Sequence, residues 1–173
     1  MKKKYWVFLL ICFCILSVDQ WTKYVVQQRL RPYLRVEVIH GFFNLTHVRN
    51  TGGAFGIFGG ARGGLGSLLF LVVSLIAIGI LLFLFIKMKE ETLMTSFSFP
   101  LILAGAIGNV IDRLRYGEVI DFLDFYLFSY HWPAFNIADS AITVGVILLG
   151  YGLLVQRPKK SREKETPVEK TRL

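Results

Sequence analysis

Four long apolar runs set the limits on what this chain can become. They cover residues 5–26, 65–86, 93–114 and 136–155. Each is close to the ~20 residues a helix needs to cross a hydrocarbon core of ~30 Å. In lipid every backbone N–H and C=O must find its partner within the protein, which restricts such runs to helices. The expected fold class is therefore mainly α, a polytopic membrane protein with four transmembrane helices. Pro100 falls inside the third run, where a kink is tolerated when neighbouring helices cover the freed carbonyl. Composition agrees. With 173 residues, 54% hydrophobic, only 18% charged and a mean hydropathy of +0.52, the chain is too apolar for an ordinary soluble domain.

The net charge of +8 does not point to nucleic acid. The basic residues cluster at the chain ends and in short loops, and no basic-aromatic module accompanies them. Four spans put both ends on one side. Twelve lysines and arginines then share the side of the termini and seven lie opposite, which places both termini in the cytoplasm. The opening MKKKYWVFLLICFCILS has the basic and apolar regions of a signal peptide, but no small-x-small cleavage site precedes SVDQW, so an uncleaved first span is expected. The basic tail, 157–173, is expected to be disordered beside the cytoplasmic leaflet. Cys12 and Cys14 sit two apart on one helix, poorly placed to bridge, and read as small apolar packing residues.

This topology puts 28–64 and 115–135 outside the cytoplasmic membrane. RVEVIHGFFNLTHVRN is rich in Val, Ile, Phe and Thr, so short strands are expected within 28–64. TGGAFGIFGGARGGLG follows, with the glycine density of tight turns, a flap or close backbone approach to a ligand; a plain flexible connector is the alternative.

Polar residues gather at the external ends of the spans. Asp19 and Lys23 have the i,i+4 spacing of a helical ion pair, which can be purely structural. Arg49 and Asn50 close the strand-like segment. GAIGNVIDRLRYGEVIDFLDF supplies Asn109 and Arg113 on one helix face, then Asp112, Glu118, Asp121 and Asp124. FNIADS opens the last span with Asn136 and Asp139. One polar helix end is a cap, and Asn136 with Asp139 in the first turn fits that description. Several helices delivering Asn, Asp and Arg to one membrane face describe a site.

The chemistry narrows by elimination. There is no HExxH, and only three histidines, none inside a span, so neither metal hydrolysis nor a serine triad fits. A Ser-Lys dyad would need Lys23, which has a nearer partner in Asp19. Paired carboxylates remain. Two close Asp side chains share a proton, so one can take a proton from water while the other polarises a carbonyl. No cofactor is needed. Asp139 is the stronger half because it opens a span. Asp112, Asp121 and Asp124 are all available as its partner; Asp112 is expected to pair with Arg113, and residue physics does not separate Asp121 from Asp124.

VDQWTK at 18–23, FFNLTHVRNTGGAFGIF at 42–58, GAIGNVIDRLRYGEVIDFLDF at 105–125 and PAFNIADSAITVG at 133–145 resemble, in order and spacing, the lipoprotein signal peptidases (signal peptidase II), bacterial intramembrane aspartyl peptidases. Gly53, where the family often has Ala, is a mild variation. The resemblance implies Asp121 and Asp139 as the catalytic pair. It implies that Asn50, Asn109, Arg113 and Asn136 contact substrate or order the dyad, and that Asp19, Lys23, Asp112 and Asp124 are structural or supporting. It implies a single four-span domain with an extracytoplasmic β-cradle, and a monomer in the bacterial inner membrane with its site near the external face. The implied substrates are diacylglyceryl-modified prolipoproteins, cut on the amino side of the lipidated cysteine. Globomycin is the implied inhibitor, membrane lipids are the surroundings, and no metal or nucleic acid takes part.

Two other classes compete. A channel or transporter subunit would carry polar groups through to the cytoplasmic side, whereas here they stop at one end. An assembly factor would leave the carboxylates as caps and their convergence as coincidence. Ala104 with Gly108, and Ala141 with Gly145, are small-xxx-small pairs expected to let helices pack closely. Trp21 and Trp132 are expected as interfacial anchors.

Overall fold

The computed structural model describes residues 3–52, 65–88 and 92–155. The tail at 157–173 and residues 53–64 of the glycine-rich stretch lie outside the described residues. Four helices follow the four apolar runs: α1 (Lys3–Arg29), α2 (Leu65–Lys87), α3 (Leu93–Tyr116) and α4 (Ile137–Val155). All four are long and apolar enough to cross a membrane. Both α1 and α3 outrun their apolar segments at the C-terminal end, because Arg29 and Arg115 suit the negative end of a helix.

α3 is the organising helix and packs against each of the others. It starts at Thr92, whose hydroxyl accepts the Thr95 N–H while Thr95 returns a bond to the Thr92 N–H, a capping box. It runs through Pro100 and stops at Gly117. There a φ of 74° turns the chain left-handed and the Gly117 N–H caps the Arg113 carbonyl. Small residues set its distance from α4: Gly105 lies against the Ala138 carbonyl, and Gly145 against Ile102 and Ser98. The two expected small-residue pairs are thus at helix contacts, with Ala104 and Ala141 both buried.

The sheet is antiparallel, in the order β1-β2-β3-β4: β1 (Arg35–Ile39), β2 (Phe43–Asn50), β3 (Val119–Leu127) and β4 (Tyr130–His131). β1 and β2 are the strands expected within 28–64. β3 and β4 complete the sheet from a segment to which sequence analysis gave carboxylates but no strands. β2 and β3 pair from Phe43↔Phe125 to Asn50↔Val119, with an irregularity between Leu45 and Val48. This register sets Asn50 and Asp121 near one end. The sheet docks on the helix ends through Val26, Ile120 and Phe122, with Leu30, Leu45, Leu123 and Ile137 around them. That joint fixes β3 relative to α1 and α4. Trp21 and Trp132 are both exposed, as an interfacial role requires.

Candidate active site

Asn136 ends the 133–136 segment and caps α4. Its side-chain oxygen accepts the Asp139 N–H at 2.9 Å, and Asp139 Oδ2 accepts the Asn136 N–H at 3.3 Å. The capping description is therefore correct, and it costs the site nothing. The cap occupies one Asp139 oxygen; the other, Oδ1, accepts from Asn109 Nδ2 at 2.8 Å. The Asn136 amide nitrogen points the other way. It donates to Asp121 Oδ1 at 2.7 Å and lies 3.3 Å from both the Ile120 carbonyl and Asn109 Oδ1. One fully buried side chain thus touches both carboxylate-bearing segments.

Asp121 sits on β3 and is 1% exposed. Its second oxygen accepts from Asn50 Nδ2 at 2.9 Å. Asn50 is oriented in turn by the Gly52 N–H, which donates to Asn50 Oδ1 at 2.8 Å. Gly52 needs to be glycine: its φ is 91°, and a Cβ there would strike the Phe70 ring. Burial pushes the Asp121 carboxyl up to about 7. The Asn50 hydrogen bond opposes this, the Asp139 charge adds to it, and the Asn136 bond and the Lys23 charge oppose it less.

Arg113 lies over the Phe70 ring at 5.7 Å, and its Nη1 reaches the Asn109 carbonyl at 3.5 Å. Its buried Nε has no partner among the described residues. Arg113, Asn50, Gly52, Phe70 and Asp121 line a cavity of about 640 Å³. Asp139 and Thr143 line a second, of about 380 Å³. The two cavities share Pro133 and Ala134, so the carboxylates open onto adjoining space from two sides.

The other candidates are elsewhere. Asp124 is buried on β3 but faces Asn44, 3.0 Å away, and His131, at 2.8 Å. Burial raises its carboxyl, but these hydrogen bonds and the charges of His131 and Arg35 outweigh that and hold it below the usual range. Asp19 and Lys23 form the expected ion pair at 2.9 Å. Asp112 departs from expectation. It pairs with Lys23 at 2.9 Å rather than with its neighbour Arg113, because adjacent residues on a helix point in different directions. Glu118 pairs with Arg49 at 2.6 Å. Gln20, whose amide donates to Asp19, Asp112 and the Gly108 carbonyl, was not legible in the sequence beyond its place in VDQWTK. Nor were Asn44 and His131 legible as the partners of Asp124. Among the described residues no group of three or more His, Cys, Asp or Glu side chains is gathered to hold a metal ion.

Four membrane-length helices and a small antiparallel sheet, with the buried Asp121 and the half-buried Asp139 linked through Asn136, define a polytopic membrane protein with a polar site at its helix ends. The family model for signal peptidase (SPase) II matches residues 11–155. The lipoprotein signal peptidase of Syntrophus aciditrophicus (strain SB) is 47% identical over 161 residues, covering 93% of this chain and 100% of the relative. That of Geobacter sulfurreducens is 40% identical over 161 residues, covering 93% and 99%. A solved structure, described as a bacterial membrane enzyme determined by the in meso method at 2.3 Å resolution, superposes with a TM-score of 0.76. It shares 38% identity and covers 92% of this chain and 93% of its own. The chain belongs to the signal peptidase II family, membrane proteases that process prolipoproteins.

Proposed function

We propose that the protein is an aspartic endopeptidase that removes signal peptides from diacylglyceryl-modified prolipoproteins, with Asp121 and Asp139 as the catalytic pair. The observation that carries this is Asn136, whose backbone N–H donates to the Asp139 carboxylate and whose side-chain amide donates to the Asp121 carboxylate, with both aspartates lining cavities that share Pro133 and Ala134. Asp121 is the proton holder, because burial keeps its carboxyl protonated up to about pH 7. The Asp139 carboxylate takes a proton from water as the oxygen adds to the scissile carbonyl carbon. Asp121 gives its proton to the carbonyl oxygen, leaving a tetrahedral diol. Collapse returns a proton to Asp121, and the proton on Asp139 passes to the leaving nitrogen as the C–N bond breaks. The products are a signal peptide with a new carboxylate and a free amine on the lipidated cysteine.

Asn50, Asn109 and Asn136 hold the carboxylates in orientation. Arg113 offers its unused N–H groups to substrate carbonyls beside the larger cavity. Asp124 supports the sheet. A signal peptide is an apolar helix, so its end reaches a site at the level of the span ends. The lysine and arginine bias supports cytoplasmic termini, a basic cytoplasmic tail and a site at the extracytoplasmic face of the bacterial inner membrane. Globomycin, by the family resemblance, competes for the dyad, and the unit works as a monomer.

Purified protein in detergent is expected to cut the lipidated prolipoprotein and to leave the unlipidated form intact. Equal cutting of both forms would contradict the lipid requirement, and cutting of neither would contradict the enzyme. The pH profile carries a second expectation. Asp121 must be protonated, so kcat falls as pH rises through about 7, approaching tenfold per pH unit. A rate still climbing at pH 9 would contradict this assignment.

A further inference from the structure

Beneath the two carboxylates lies an ionic cluster that the proposed chemistry does not use. Lys23 is 2% exposed, Asp19 0% and Asp112 1%. Lys23 Nζ lies 2.9 Å from Asp19 Oδ2, 2.9 Å from Asp112 Oδ2 and 3.1 Å from Asn109 Oδ1. An ammonium has three N–H donors, so all of them are used. Each aspartate has a further bond. Asp19 Oδ1 accepts the Ala138 N–H at 2.9 Å, and Asp112 Oδ2 accepts the Ile120 N–H at 3.2 Å. Ala138 directly precedes Asp139, and Ile120 directly precedes Asp121. One cation therefore holds two carboxylates, and each carboxylate holds the backbone next to one member of the pair.

The third Lys23 bond acts on the same pair. By donating to Asn109 Oδ1 it fixes which way round that amide sits, so that Nδ2 faces Asp139. Stability alone does not account for such a cluster. Burying one cation with two anions costs several kcal/mol per ion, and apolar residues of similar volume are commonly as stable. The surroundings are also fitted to it: a Cβ on Gly108 would lie 2.7 Å from Asp19 Oδ2.

We infer that Lys23, Asp19 and Asp112 are positioning residues that set the spacing of Asp121 and Asp139, by tying α1 to the backbone before each of them and orienting the Asn109 amide. This rests on the Asp121–Asp139 reading above. None of the three lines either cavity, so they act on chemistry and not on substrate contact.

The test compares kcat, KM and Tm of the full-length protein with the lipidated prolipoprotein. The variants are Lys23→Met and the triple Lys23→Met/Asp19→Asn/Asp112→Asn, which uncharges the whole cluster. A misplacement of about 1 Å can cost ~100-fold in rate. Lys23→Met is therefore expected to lower kcat about 100-fold with KM changed less than about threefold. The triple variant is expected to recover most of the Tm that Lys23→Met loses, and to keep kcat at least about tenfold down. Where Lys23→Met does not fold, the triple variant decides alone. Asp112→Asn, which keeps the side-chain shape, gives a third point with a smaller loss of kcat and unchanged KM. Recovery of kcat together with Tm in the triple variant would overturn the inference and leave the cluster a stability element. Asp121→Asn and Asp139→Asn run alongside. Cleavage surviving in those would sink the dyad, whereas dead dyad variants beside cluster variants with wild-type kcat would sink only the positioning role.

Discussion

Asp121→Asn is expected to lose at least about a thousandfold in kcat and yet to be no less stable than wild type above pH 7. Both halves follow from one buried carboxyl. The amide has the shape of the protonated acid but cannot give up or reclaim the proton, so the carbonyl is no longer protonated as water adds. The stability half is a linkage argument. Burial raises the folded-state pKa of Asp121 to about 7, above the ~3.9 of an unfolded aspartate. The folded state thus holds the proton more tightly. The contribution is fully present below pH ~4 and is lost as pH rises through about 7. Asn carries no such dependence. Thermal unfolding followed from pH 5 to 9 is expected to show the wild type losing Tm relative to Asp121→Asn at the alkaline end. Parallel curves would contradict the buried-acid assignment.

Gly105→Ala is expected to cost about 3 kcal/mol, at the upper end of overpacking effects. The added methyl meets the Ala138 carbonyl on the facing helix, with the Ile102-to-Gly145 contact already closed one turn away. The obstacle is backbone and has no rotamer to turn to. α4 must move off α3, and Ala138 is the residue before Asp139, so activity falls with stability. The measurements are Tm in detergent and the cleavage rate at a temperature where the variant is folded. Gly79→Ala, where a Cβ meets nothing within 4 Å, is the control and is expected to match wild type. Similar Tm values for the two variants would show that α3 and α4 do not need this closeness.

The spans were legible because lipid leaves few options: a run of twenty apolar residues has to be a helix. Their ends were less so, since α1 reaches Arg29 through residues with no apolar periodicity. β1 and β2 were readable from Val, Ile and Thr. β3 was not assigned, although VIDFLDFYL has the composition of a strand, because its aspartates drew attention to chemistry rather than to pairing. Asp139 was legible as a polar residue at the mouth of a span. The choice between Asp121 and Asp124 was beyond residue physics, because the faces they present depend on the register of β3 against β2 and on its contacts with Phe135. The structure gives Asp121 to Asn50 and Asn136, and Asp124 to Asn44 and His131. The Asp112–Lys23 pair was hidden for the same reason: its partner is 89 positions away on another helix.

The most direct measurement is the single-turnover cleavage rate of a diacylglyceryl-modified prolipoprotein by wild type, Asp121→Asn, Asp139→Asn and Asp124→Asn at pH 6.5, each checked for folding. The expected result is cleavage by wild type, none detectable with Asp121→Asn or Asp139→Asn, and a rate within about tenfold of wild type for Asp124→Asn. Cleavage retained in Asp121→Asn with loss in Asp124→Asn would contradict the assignment of the pair.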